Sequence, residues 1–131
     1  MSREKTLINP PGSEIIYKTM QFSQAVKCNG FVFVSGQVGV DESFKPAEGI
    51  EAQAELAFEH LKKVLAEAGA SLEDIVELVT YHTSMKDVQG FGAVKAKYIP
   101  ENFPAWTAVG VTELVMPGLL VEIKATALIK S

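Results

Sequence analysis

Phe31-Val32-Phe33-Val34, running on into Ser35-Gly36-Gln37, decides the fold. Four large apolar residues in succession leave neither side of a strand suited to water. Such a strand belongs between helices on one face and another protein surface on the other, whereas a sheet open to solvent would alternate more strictly. Outward from this stretch, Cys28-Asn29-Gly30 supplies turn chemistry and a short run from Phe22 to Val26 precedes it, so the two runs read as a hairpin of paired strands.

The pattern then changes period. A loop from Asp41 to Gly49 leads into Ile50, Ala54, Ala57, Phe58, Leu61, Val64, Leu65 and Ala68, the apolar stripe of a helix that Gly69 stops. Ser71 with Asp74 marks a short helical turn, and Val76 to Thr83 reads as a β-branched and aromatic strand. Asp87 is a candidate N-cap for a second helix carrying Val88, Phe91, Val94, Tyr98 and Ile99, weakened by Gly90 and Gly92 and ended by Pro100. Trp106–Thr112 and Val121–Ile129 are the last strands, joined by a turn through Met116-Pro117-Gly118.

Upstream, Pro10-Pro11-Gly12-Ser13 reads as irregular chain, with order expected from about Ile15. The predicted order is β-β-α-β-α-β-β over residues 1–131, a single α+β domain with a mixed sheet and two helices on one face. In the last strand Val121, Ile123, Ala125, Ala127 and Ile129 share the side that suits the helices. In the strand before it, Trp106, Ala108, Gly110 and Thr112 share a side on which a large ring is followed by small neighbours. That side is assigned to the uncovered face, where another subunit or a ligand would sit.

Composition narrows the function classes. Twelve basic against sixteen acidic residues give a net charge of -4, which opposes attraction to phosphate backbones and makes nucleic acid an unlikely partner. One cysteine, Cys28, cannot form an internal disulfide, and with two histidines it cannot build a cysteine-rich zinc site. No metal or cofactor is expected. No stretch reaches the length of a membrane span or a signal peptide, so the expected location is the reducing cytoplasm.

Phe33-Val34-Ser35-Gly36-Gln37, Gln24-Ala25, Phe103-Pro104-Ala105 before a strand and the closing Val121-Glu122-Ile123 together resemble the Rid family, also called YjgF-like or L-PSP endoribonuclease-like proteins. The resemblance covers nearly the whole chain. It implies a chorismate-mutase-like fold (the bacillus chorismate mutase type) and a homotrimer with ligand clefts at the subunit interfaces. In the deaminating members an arginine after the Pro-Ala pair grips the substrate carboxylate, and a last-strand glutamate and a serine before Gly-Gln position substrate and water. Ser35 and Glu122 match the latter two positions.

The arginine position holds Trp106, whose indole offers one donor and no charge where a guanidinium offers a five-donor fork. Phe22 replaces a tyrosine, Ala108 a cysteine and Lys95 an asparagine of the family site. Trp106-Thr107-Ala108-Val109-Gly110-Val111, with Tyr81-His82-Thr83, resembles the arginine-lacking branch typified by YjgH.

Each candidate has two readings. Trp106 either stacks a planar ligand, its N–H anchoring one polar group, or packs an interface. Partial burial would make Glu122 a usable general acid or base, against a salt bridge to Lys124, Lys95 or a neighbouring subunit. Ser35 has no adjacent base and reads as a hydrogen-bonding group, not a nucleophile. His82 is a proton shuttle if it faces the cleft and a structural histidine otherwise. Lys95 either lends positive charge to the cleft or lies on the exposed side of its helix, and His60 reads as a solvated surface residue with no role. The function expected is a trimeric small-molecule site, deaminase- or hydrolase-like on a planar imine or carbonyl compound but poor with 2-iminopropanoate. The alternatives are a noncatalytic metabolite- or protein-binding trimer and, less favoured, RNA cleavage.

Overall fold

A computed structural model describes residues 4–129. Its core is one six-stranded mixed sheet in the spatial order β1 (Thr6–Ile8), β2 (Ala25–Cys28), β3 (Phe31–Val38), β6 (Val121–Leu128), β4 (Ile75–His82) and β5 (Ala105–Gly110). The hairpin forms where the turn chemistry places it: Asn29 and Gly30 both take positive φ, 49° and 83°, as a two-residue hairpin loop demands, and Cys28 pairs with Phe31. Its strands are β2 (Ala25–Cys28) and β3 (Phe31–Val38). β2 starts three residues later than predicted, because Gln21 turns left-handed (φ 61°) and Phe22 to Gln24 stay outside the ladder.

The expectation of irregular chain before Ile15 is corrected. Thr6–Ile8 forms β1 against β2, with Ile8 buried opposite Ala25, and Glu14–Met20 forms a short helix α1 that buries none of its residues. The two prolines sit between these elements, where neither owes a backbone donor.

The long helix α2 (Ile50–Glu67) buries Ala54, Ala57, Phe58, Leu61 and Leu65 against the sheet and ends at Gly69, whose φ of +84° suits glycine. A capped 3-10 turn at Leu72–Asp74 leads into β4 (Ile75–His82). Helix α3 (Val88–Tyr98) follows with Asp87 at its cap position, though that side chain makes no capping bond. It carries the chain over to β5 (Ala105–Gly110), which runs parallel to β4, before β6 (Val121–Leu128) closes the middle of the sheet. Phe58 stacks on Phe91 at 5.7 Å and on Tyr98 at 5.0 Å, tying α2 to α3.

Both longer helices lie on one face, as the pattern of β6 requires: Val121, Ile123, Ala125 and Ala127 are buried, while Lys124 and Leu128 are exposed. Phe31, Phe33 and Leu128 share the opposite face and are exposed, with no covering element among the described residues. His60, read from sequence as a solvated residue without a role, is corrected: its Nε2 lies 2.8 Å from the Val40 carbonyl and ties α2 to the loop after β3.

Candidate functional site

Register decides which candidates meet. Residues directly opposite one another in a sheet share a face. Trp106, Ala108 and Gly110 stand opposite Leu78, Thr80 and His82, which in turn oppose Ala125, Ile123 and Val121. These β4 and β6 residues are all buried under the helices. The sequence-based assignment of Trp106 and Ala108 to the uncovered face is therefore corrected: both project toward the helix side, at the edge strand. Glu122 opposes Val38 and Tyr81 and projects from the other face.

On the helix side, the indole packs against Phe91 of α3 (centroids 5.9 Å apart) yet stays 38% exposed, because β5 ends the sheet. Its Nε1–H donates to Thr80 Oγ1 at 3.0 Å, and the same oxygen lies 2.7 Å from His82 Nε2. The donor expected to greet a ligand is thus spent on Thr80. His82 is fully buried, edge-on to Phe91, and its Nδ1 has no hydrogen-bond partner among the described residues. Burial lowers its pKa, with Asp87 opposing the shift, so the ring is held neutral. It faces the core, and Thr80 Oγ1 links it to the partly exposed Trp106.

Lys95 projects from α3 toward this edge. Its ammonium lies 4.6 Å from the Trp106 ring centre and 5.6 Å from that of Phe103. Among the described residues no carboxylate pairs with it; the salt bridge of α3 is Lys97–Glu55, at 3.3 Å.

On the open face, the Ser-Gly-Gln signature is a bulge, the β3–β6 register shifting between Val34 and Gln37. Ser35 N–H donates to Gln24 O at 2.9 Å and its hydroxyl donates to Ser23 O at 2.7 Å. Buried Gln37 donates through Nε2 to Gln24 Oε1 and Ser35 O, both at 3.1 Å. Ser35 is thus a brace for the loop after α1, its proton already committed. The glycine between them makes room: a Cβ at Gly36 would fall on the Glu122 carboxylate. Glu122 is half-buried, burial raises its pKa, and among the described residues no hydrogen bond or ion pair holds it. Neither Lys124 nor Lys95 is its partner. Phe22 is 39% exposed, just after α1.

Sequence reasoning gave no site role to Thr80, Phe91 or Phe103. The readable signal was the alternation Leu78-Thr80-His82, which places two polar residues on a face otherwise reserved for core. Among the described residues no His, Cys, Asp or Glu grouping could hold a metal ion.

This single α+β domain, with its bulged Ser-Gly-Gln strand and glutamate opposite, defines a class, and the profile of the Endoribonuclease L-PSP family matches residues 13–129. The chain belongs to that family. It is 36% identical over 126 residues to the RutC family protein YjgH of Escherichia coli K12, covering 95% of each chain. It is 40% identical over 94 residues to Protein MMF1, mitochondrial, of Saccharomyces cerevisiae, covering 71% of this chain and 65% of that relative. The solved structure of Protein YJGH superposes with a TM-score of 0.87 at 35% identity over 98% of both chains. A YjgF/YER057c/UK114 family member from Mycobacterium tuberculosis gives 0.84 at 30% identity, over 96% of this chain and all of that one. Among the described residues no helix is long and apolar enough to cross a membrane.

Proposed function

We propose that this chain forms a chorismate-mutase-like homotrimer whose subunit interfaces hold a site for a small planar imine or carbonyl compound, and that it is a poor 2-iminopropanoate deaminase. The observation that carries the reading is Glu122: a half-buried carboxylate that has no partner among the described residues, its pKa raised, in space kept open by Gly36. A carboxyl group whose protonated form is favoured by burial can lend and take back a proton and so direct a water onto an electrophilic carbon. Trp106 and Glu122 face opposite sides of one sheet, so a cleft that uses both is built from two copies, with the edge strand of one beside the open face of the other. The apolar Phe31, Phe33 and Leu128 on that face support burial against a neighbour.

Loss of the guanidinium sets the specificity. A charged hydrogen bond to a carboxylate contributes about 1.5–3 kcal/mol, so its absence corresponds to roughly a 10- to 150-fold weaker grip. An amino-acid oxidase coupled to an imine trap measures this. The expected result is 2-imino acid decay close to the uncatalysed rate, with Trp106→Arg increasing it; acceleration like that of arginine-bearing relatives contradicts the reading.

A second reading has its own support. The indole N–H is donated to Thr80 and His82 is buried, which supports a reading of these two groups as noncatalytic, as in a trimer that binds a metabolite or protein without changing it. A ligand recovered unaltered from the protein favours that version. RNA cleavage, which the family's description names, is the least supported, given the net charge of -4. The proposed location is the cytoplasm, against the mitochondrial designation of the yeast relative.

A further inference from the structure

We infer that Lys95 is the anion anchor of this chain: its ammonium, seated over Trp106 and beside Phe103, receives the carboxylate of a small planar ligand from the helix side. The inference rests on the preceding reading that a ligand site lies beside Trp106, and deepens it by naming the group that recognises charge.

Three observations carry it. The ammonium lies within cation–π range of two rings at once, 4.6 Å from one centre and 5.6 Å from the other. A cation over a ring face uses its charge there but commits none of its three N–H donors to a carbonyl or carboxylate, so those donors remain available to an oxyanion. Second, Lys95 is half-buried and, among the described residues, unpaired by any acid, whereas Lys97 two residues on already engages Glu55. Third, the indole is fixed from behind: its N–H is held by Thr80 and its ring rests on Phe91, so the seat beneath the ammonium is rigid.

The consequence for Trp106 is specific. The ring face beneath Lys95 is taken by the cation, so the indole serves there as the support of a charge and not as a stacking platform. Phe103, 70% exposed, is left as the apolar surface on which a flat ligand body would rest. An ammonium is a point charge without the guanidinium fork, so it accepts a carboxylate in one-oxygen contact and discriminates little among anion geometries.

The test uses the single tryptophan. In full-length 15N-labelled protein the indole N–H resonance is followed while nicotinate, or its neutral isostere nicotinamide, is titrated in. The expected result is that Lys95→Gln weakens nicotinate binding by about tenfold, the scale of one lost charged hydrogen bond, while nicotinamide binding is unchanged and Lys95→Arg retains nicotinate. An unchanged melting midpoint shows that the variants are folded. Equal nicotinate affinity in wild type and Lys95→Gln overturns the inference alone, as does an equal loss for both ligands, which would mean that Lys95 only shapes the edge. If neither ligand moves the indole resonance in wild-type protein, the site reading fails and the inference with it.

Discussion

Trp106 and Glu122 project from opposite faces of the same sheet, Trp106 in register with Leu78 and Glu122 with Tyr81, three positions apart on β4. An odd separation along a strand reverses the side. Two residues so placed do not face one pocket from the same side of the sheet, so a single site that uses both requires a second copy of the chain.

Glu122 is expected to destabilise the folded chain at neutral pH. Its folded pKa lies above the ordinary value of 4.5, so the unfolded chain ionises first as pH rises, and stability is lost from about that value up to the folded pKa. Glu122→Gln should therefore raise the melting midpoint at pH 7 by about 3 °C, with little difference from wild type at pH 4. Scanning calorimetry at the two pH values decides, and a lower midpoint at pH 7 would mean that the carboxylate is held by a partner.

His82 has the opposite linkage. Its folded pKa lies below the ordinary 6.5, so on acidification the unfolded chain takes up the proton first. Stability should fall as pH drops below about 6.5, by at most about 1.4 kcal/mol per pH unit, until the folded pKa is reached. His82→Leu removes the titrating group, and urea midpoints measured between pH 7 and pH 5 should lose this component of the slope.

Two glycines of the bulged strand region should respond differently. A Cβ at Gly39 would collide with the Gln53 backbone, which cannot swing aside, so Gly39→Ala should cost about 1–3 kcal/mol in urea unfolding. At Gly36 the obstacle is the movable end of Glu122, so Gly36→Ala should cost less than about 1 kcal/mol while displacing the carboxylate. An unchanged carboxyl titration of Glu122 by NMR in Gly36→Ala would contradict the geometry.

Local pattern carried most of the fold. The alternation in Val121–Leu128 revealed which side meets the helices, the stripe from Ile50 to Leu65 revealed α2, and Asn29-Gly30 revealed the hairpin. Two elements escaped: α1 buries nothing and so has no apolar stripe to read, and β1 is a three-residue strand whose evidence is its partner 17 positions away, Ile8 against Ala25. The site was half legible. Family position marked Glu122, Ser35 and Trp106, but which face Trp106 occupies depends on its parallel pairing with β4, a long-range register that no local pattern reports. The direction of Lys95 depends on how α3 packs beside that edge strand, which is equally long-range.

The most direct test is a crystal structure of the assembled protein soaked with small keto, imino and aromatic acids. The account predicts one ligand bounded by Trp106 and Lys95 of one copy and by Glu122 of the next. A monomer, or an assembly in which Trp106 and Glu122 of adjacent copies line no common space, would contradict it.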